Sequence, residues 1–498
     1  MAEQQVGHQV GHPAERQGER ADVLVIGGGA SGTLLCAQLL RQARGPLRVV
    51  WVDRAGAFSR GLAYGAAEPW HLLNVPAANM SALPDVPGHL LSWCQAAGVA
   101  AGPTTFVPRL EYGRYLGALL EEAEAQGRAA GALLVRRRAE VASLTVEGDG
   151  TVRAELAGGE GPARLQATVA VLAPGNARPD DPRVADPDGV LASPAYVRSP
   201  WQPEALDRLP REAPVLLLGT GLTMADVVLS LRARGHRGPL LALSRRGLLP
   251  RVHAPPAPPR PPALPEGGSL RQLLRAFRQE VRQEVARAGE GAWRPVLDGL
   301  RPRTAALWQG LSPADKRRFL RHVRAYWEVH RHRLPPPVHE ALEGMRQAGQ
   351  LQVRAGRLTR LARLAPAPGG AGGAGGAGGG VALTFRTKGG RGAEETLEGA
   401  ALVNCTGPTT DVRRLDTPLL AWLMDAGLAR ADRLGLGLDT QAGALVGRDG
   451  APSQSLFALG PLRRAELWET TAIPEIRVQA QALAAALLGH LGVEPPRG

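Results

Sequence analysis

Asp22-Val23-Leu24-Val25-Ile26-Gly27-Gly28-Gly29-Ala30-Ser31-Gly32 is the stretch that decides how this chain folds. A short apolar run enters Gly-x-Gly-x-x-Gly, and Ala30 to Gln42 continues at helical spacing. The order strand, glycine turn, helix makes a weak motif specific. Gly27 permits the tight turn, Gly29 lets backbone approach a pyrophosphate, and Gly32 lets helix and strand close on each other. The helix start, with Ser31 in its first turn, presents unpaired N–H groups and a partial positive charge to phosphates. Leu47 to Val52 reads as the second strand, and Asp53 ends it 21 residues after Gly32, placed to accept hydrogen bonds from two ribose hydroxyls. The plain alternative is a structural glycine turn with a surface carboxylate.

A second unit of the same kind begins at Pro214. Val215 to Leu218 is apolar, Gly219-Thr220-Gly221-Leu222-Thr223-Met224 keeps two of the three glycines, a helix runs to about Arg234, and Leu240 to Leu243 is again strand-like. Met224 replaces the third glycine, which puts close helix packing in question. The strand leads into Ser244-Arg245-Arg246-Gly247, with arginine where a site for an unphosphorylated ribose would carry an acid. Two guanidinium groups suit a 2′-phosphate, so NADPH is expected over NADH, with Gly219, Gly221, Thr223, Arg245 and Arg246 as its binding residues. The competing reading is two more arginines in an arginine-rich chain.

Two such units predict an α/β fold with two Rossmann-like dinucleotide-binding domains. The spacing assigns 1–20 to a disordered tail, 21–200 and 400–490 to a first, discontinuous domain, and 201–399 to a second. Ala139 to Leu172 alternates in short runs, as a small antiparallel sheet does, before the buried strand Thr168 to Leu172. Pro250 to Pro265 holds eight prolines and reads as a stiff connector. Leu270, Leu273, Leu274, Phe277 and Val281 recur at helical spacing, and Ser312-Pro313 with Asp315 resembles a helix start, so 266–345 reads as a helical insertion. Gly369 to Gly380 is a glycine-alanine loop joining two strand-like runs, Leu351 to Leu364 and Val381 to Arg386.

Composition excludes several classes. Among 498 residues the formal charge is +13, yet all cations but Lys316 and Lys388 are arginines spread along the chain, which argues against a clustered nucleic-acid footprint. Cys36, Cys94 and Cys405 form neither a disulfide framework nor a CxxC pair, which points to a reducing compartment. No apolar stretch has the length of a signal or a membrane span, and a cytoplasmic location is expected. His330 and His332 lie two apart, off a common helix face, so no metal site is expected. Lys316 to Arg333 places Phe319, Val323, Tyr326, Trp327 and His330 at helical spacing, an amphipathic helix with a basic outer side.

The paired fingerprints, the turn Ala173-Pro174-Gly175 and the segment Asn404-Cys405-Thr406-Gly407 together resemble the two-dinucleotide-binding-domain flavoproteins of glutathione-reductase type. Gly61-Leu62-Ala63-Tyr64, His71 to Pro76, Ser244 to Arg251 and Leu459 to Arg464 look like a bacterial family of FAD/NAD(P)-binding proteins. Met80 to Trp93 followed by Phe106 to Tyr112 is also similar to the N-hydroxylating flavin monooxygenases of lysine and ornithine. The resemblance implies FAD at Gly27, Gly29, Ser31, Gly32 and Asp53, with Thr406, Gly407, Gly460 and Pro461 as further contacts. It also implies that 61–83 faces the flavin ring, where Asn74 would hydrogen-bond the ring and His71 would serve as acid or base. His71 could equally just pack a loop. Two motifs depart from the pattern: Ala173-Pro174-Gly175 stands for Ala-Thr-Gly, and Gly460-Pro461 for Gly-Asp, which removes the carboxylate expected on the ribityl chain. Trp468 to Thr471 leads into a helix at Ile473-Pro474-Glu475, whose start would stabilise an anionic reduced ring. The expected activity is NADPH-driven, FAD-dependent oxidation, foremost a monooxygenation of a small polar or amine substrate. A flavin reductase or dehydrogenase without oxygen insertion, and a flavin-binding redox sensor with the insertion as partner surface, are the alternatives.

Overall fold

The computed structural model describes residues 19–159, 161–365, 379–387, 392–415 and 417–493. Two sheets organise the chain. In the first, Pro452–Ala458, Arg164–Leu172, Glu19–Ile26, Leu47–Asp53 and Ala132–Arg138 lie side by side in parallel, with Ala444–Val446 and Thr440–Gln441 added antiparallel at one edge. Glu140–Val146 and Val152–Ala157 form an antiparallel branch on Arg164–Leu172. That strand changes character along its length. It alternates between buried and open positions where it pairs with the branch, then is buried at every residue from Val169 to Leu172, where both faces are covered.

The covering layer on one face is the fingerprint helix Ala30–Gln42, flanked by Arg109–Ala129 and Ile473–His490, with Leu34, Leu35, Leu39 and Leu40 fully buried. Gly32 explains how closely the helix sits. A Cβ there would lie 2.2 Å from the Gly27 carbonyl oxygen and 2.9 Å from Trp51 Nε1, and that indole N–H itself donates to Gly27 O at 2.8 Å.

The second sheet runs Glu394–Gly399, Val381–Thr387, Leu351–Arg363, Leu240–Ser244, Val215–Leu218, Ala401–Asn404, Tyr196–Val197. Its last five strands are mutually parallel, and the first three form an antiparallel meander. The expected division of the chain shifts accordingly. Tyr196–Val197 and Ala401–Asn404, assigned above to the first domain, pair in the second sheet, and the chain returns to the first sheet only after them. Glu19 and Arg20 open the first strand rather than closing a tail, because Glu19 pairs with Arg48 and Arg137; residues 1–18 lie outside the described residues. The hairpin around the glycine loop forms between Leu351–Arg363 and Val381–Thr387, while most of the loop lies outside the described residues.

The insertion opens at Leu270–Ala288, whose Ser269 makes a capping box with Gln272. Ser312 likewise accepts the Asp315 N–H, but the following helix passes through a π-helical stretch, Phe319–Val323, before Arg324–Arg331. Pro336–Gln347 is not part of the insertion's own packing: Val338, Leu342 and Met345 bury against the second fingerprint helix, Leu222–Ala233. Among the described residues no helix is long and apolar enough to cross a membrane.

Gly32→Ala is expected to push the fingerprint helix off its sheet. Overpacking of this kind costs about 1–3 kcal/mol, which a denaturant titration would read as a lower midpoint with an unchanged slope.

Candidate functional site

The two glycine turns show what each glycine is for. Gly27 has φ +118°, and a Cβ on it would meet the Ala173 carbonyl oxygen at 2.3 Å; one on Gly28 would meet the Asp53 carboxyl at 2.7 Å. Gly29 differs. Its φ of −79° is open to any residue, and the nearest atom to an added Cβ is Gly61 Cα at 3.8 Å. Nothing among the described residues requires glycine there, so the requirement lies in the space before the helix start, where no side chain caps the free N–H groups.

The second turn repeats this. Gly219 has φ +114°, and its Cβ would lie 2.4 Å from the Cys405 carbonyl oxygen, whereas Gly221, at φ −87°, has nothing within 4 Å. Leu222–Ala233 also starts without a side-chain cap. Met224, the departure from the motif, is fully buried in the core of the second sheet, so helix packing there is secured by an apolar side chain.

The third strand of each sheet completes the match. Ala173 N–H donates to Ile26 O, and Cys405 N–H donates to Leu218 O, both at 2.8 Å; Gly175 and Gly407 turn with φ +75° and +80°. Thr406 and Gly407 therefore stand beside Gly219, not beside the first turn, which corrects their expected place at FAD. Thr406 is held by Asn404, whose Oδ1 accepts both its N–H and its hydroxyl.

Around the first turn, Asp53 Oδ2 accepts Gly28 N–H at 2.8 Å and Oδ1 accepts Ala55 N–H at 2.9 Å, which fixes the carboxylate at the strand end with lone pairs to spare. Gly61 crosses Gly29: its own Cβ would come within 2.7 Å of Gly29 Cα. Gly460, at φ +77°, leaves no more than 2.6 Å between an added Cβ and Ser31 Oγ, which puts Gly460-Pro461 against the same helix start. Thr470 Oγ1 donates to Gly460 O at 2.7 Å, and Ile473–His490 begins just beyond, uncapped. These residues fit FAD: an open glycine before a free helix start, a fixed acid for the ribose, and a second helix start nearby.

His71 is not available for acid–base chemistry. It is 1% exposed; Nδ1 accepts Glu68 N–H at 3.1 Å, and Nε2 donates to Ser230 Oγ at 2.9 Å, with Asp226 O at 3.3 Å. Both nitrogens are thus consumed in a joint to the second fingerprint helix. Arg109 adds an ion pair to Asp226 at 2.8 Å, and Arg234 bridges Glu68 and Asp207. Asn74 is half-buried; its backbone carbonyl accepts His253 Nε2–H at 3.0 Å, and its side chain makes no hydrogen bond among the described residues.

Arg245 and Arg246 part company. Arg246 reaches the insertion, donating to Tyr326 OH at 3.2 Å and Arg321 O at 3.3 Å, with its guanidinium 5.0 Å over the Tyr326 ring. Arg245 is exposed and makes no ion pair within the described residues. Thr223 lies half-buried in the first turn of its helix.

Sequence reasoning missed the backbone turn at Trp468. The residue is buried with φ +63°, ψ −60°, a strained conformation closed by Glu469 N–H on Leu467 O at 2.8 Å. Nothing local in the sequence signals such a turn at a bulky residue.

Residues 24–177 match the FAD-NAD(P)-binding family. Among solved structures, the ornithine N-hydroxylase of Kutzneria sp. 744 is 14% identical with a TM-score of 0.63, covering 95% of this chain and all of that one. The cadaverine monooxygenase of Erwinia amylovora's desferrioxamine pathway is 15% identical with a TM-score of 0.62, covering 96% of each chain. The bacillithiol disulfide reductase of Bacillus cereus is 13% identical with a TM-score of 0.50, covering 95% of this chain and all of that one. At these identities the likeness is one of fold. No curated protein matches the chain.

Gly29→Val is expected to leave melting nearly unchanged while FAD per chain, read by absorbance, falls at least tenfold. Gly221→Val should keep FAD and lose reduction by nicotinamide nucleotide. Burial also holds the His71 imidazole below histidine's usual range and lowers His253 to about 4. The unfolded chain then binds more protons than the folded one between pH 6.5 and 4, so stability falls as pH drops through that window. His253→Gln should flatten the decline in melting temperature.

Proposed function

We propose that this chain, an FAD/NAD(P)-dependent oxidoreductase by family match and fold, is reduced by NADPH and acts as a monooxygenase on a small polar substrate bearing an amine. The observation that carries the reading is the pair of open glycines, Gly29 and Gly221, each fronting an uncapped helix start while the glycines beside them are demanded by the protein itself. Two dinucleotides, one at each sheet, account for both.

FAD held there would supply two-electron redox chemistry between a nicotinamide nucleotide and an acceptor such as oxygen. The chain's own contribution is placement. Gly27 to Gly32 and Asp53 hold one nucleotide, Gly219 to Thr223 with Thr406 and Gly407 the other, and the joint at His71 and Asp226 ties the second fingerprint helix to the flavin-facing segment.

The cysteines argue against an internal dithiol relay. Cys36, Cys94 and Cys405 are all buried and unpaired, and burial raises each thiol above its ordinary range. Monooxygenation is favoured over simple dehydrogenation by the likeness in fold to the Kutzneria protein, described with reduced FAD, NADP+ and L-ornithine, and to the Erwinia amine monooxygenase.

Anaerobic mixing with NADPH should bleach the flavin, and admission of oxygen with a substrate should yield hydroxylated product in step with NADPH consumed. Hydrogen peroxide in its place, with every amine tried, would move the assignment to a dehydrogenase or oxidase. Arg245→Ala should slow flavin reduction by NADPH about tenfold to a hundredfold and leave NADH unaffected, since one charge-assisted bond to a 2′-phosphate contributes roughly 1.5–3 kcal/mol. Arg246→Ala should change discrimination less, its guanidinium being held by Tyr326. Equal use of both nucleotides by the unmodified protein would overturn the NADPH assignment.

A further inference from the structure

Where the insertion meets the flavin-facing segment, positive charge is left unmatched. His253, on the proline connector, donates to the Asn74 carbonyl at 3.0 Å and packs its ring 5.0 Å from Phe106. Behind it stands Trp293, with the Arg294 guanidinium 4.6 Å and the Arg333 guanidinium 5.1 Å from its ring, and His330 edge-on at 4.8 Å. Arg251 is tied in by its backbone, donating to Val329 O and accepting from Leu334 N–H, both at 2.8 Å.

Among the described residues, the carboxylate paired with any of these five basic groups is Asp298. Arg333, 5% exposed, takes both its oxygens, at 3.0 and 2.8 Å. Arg294 is left with one acceptor, the Val252 carbonyl at 3.1 Å, and its Nε is buried without a partner. Arg251 makes no ion pair with any described residue and is exposed. A few residues away the same insertion behaves differently: Arg301 and Arg331 converge on Glu475 at 2.7 and 2.9 Å.

Burial and the neighbouring guanidiniums keep His253 and His330 neutral, so the surplus charge resides on Arg251 and Arg294. Burial, with Arg333 and Arg251 close by, also depresses the proton affinity of Arg294. A guanidinium withdrawn from water without a counter-ion is costly, and an anion with two acceptor oxygens removes that cost.

We propose that Arg251 and Arg294 are the receptor for a carboxylate on the substrate, so that the molecule oxidised is an amino acid or other organic acid rather than a simple diamine. This rests on the monooxygenase reading proposed above, with oxidation taking place beside Asn74. The Trp293 face holds Arg294 in position, the Arg333–Asp298 pair backs it, and His253 links the receptor to Asn74. The two amine-oxidising neighbours in fold divide on this point: one is described with L-ornithine, which has a carboxylate, and the other acts on cadaverine, which has none.

The test is binding to the full-length, FAD-loaded protein without NADPH or oxygen, by calorimetry, using two matched pairs of probes: benzoate against benzylamine and L-ornithine against cadaverine. The carboxylate member of each pair should bind at least tenfold more tightly. Arg251→Gln and Arg294→Gln should each weaken it about tenfold or more while FAD content and NADP+ affinity stay unchanged, and Arg294→Lys should recover part of the loss. Arg251 is exposed, so its variant remains informative if Arg294→Gln fails to fold. Equal binding within each pair, no carboxylate binding at millimolar concentration, or variants that lose NADP+ in place of the carboxylate would each overturn the proposal. Carboxylate binding that depends on the arginines, in a protein that only makes peroxide, would leave the receptor standing and remove the monooxygenase reading.

Discussion

The structure depends on a backbone-to-backbone approach that no side chain can enter. Gly27 lies against the Ala173 carbonyl and Gly219 against the Cys405 carbonyl, each so closely that a Cβ would overlap an oxygen. In both sheets this contact draws three strand ends together beneath one helix start, and the left-handed φ at each first glycine turns the chain into that helix. From there the rest of the site follows: Asp53 is pinned by the Gly28 N–H, Gly61 crosses Gly29, and Gly460 rests on Ser31.

Two joints then set how the remaining parts sit on this frame, and they use different physics. The joint at His71 is polar and buried, with Glu68, Arg109, Asp226, Ser230 and Arg234 each satisfied by a partner across it. Such a network is favourable only when complete, which gives it a narrow range of geometries. The joint at Trp468 is aromatic. Its backbone strain costs about 1–3 kcal/mol, and rings of Trp308 and Phe319 at 5.0 Å with Arg464 at 4.5 Å offset it, aromatic pairs contributing about 0.5–1.5 kcal/mol each beyond their buried area. Trp468 thereby fastens the insertion beside the start of Ile473–His490.

The charge pattern gains meaning only after this assembly. An arginine-rich composition says nothing about which guanidiniums matter, because on the surface most find a carboxylate or water. At the insertion they are sorted by what the fold brings opposite them: Arg301 and Arg331 meet Glu475, Arg333 meets Asp298, Arg246 meets Tyr326, and Arg251 and Arg294 meet no carboxylate among the described residues.

The sequence by itself determined the fold class, both glycine turns and the helix at Ile473, because each is a local pattern whose glycines and periodicity act within a few residues. It also marked Asp53, whose place at a strand end follows from counting. It misplaced Thr406 and Gly407, since which sheet Ala401–Asn404 joins is decided by pairing with Val215–Leu218, a contact spanning most of the second domain. It left His71 undecided between catalysis and packing, and Ser230 and Asp226, some 160 residues away in sequence, resolve it. Arg245 and Arg246 are alike as letters, and only the reach of Tyr326 distinguishes them. Tertiary structure decided these questions because hydrogen-bond satisfaction and charge neutralisation belong to neighbours in space, and the chain's order does not record them.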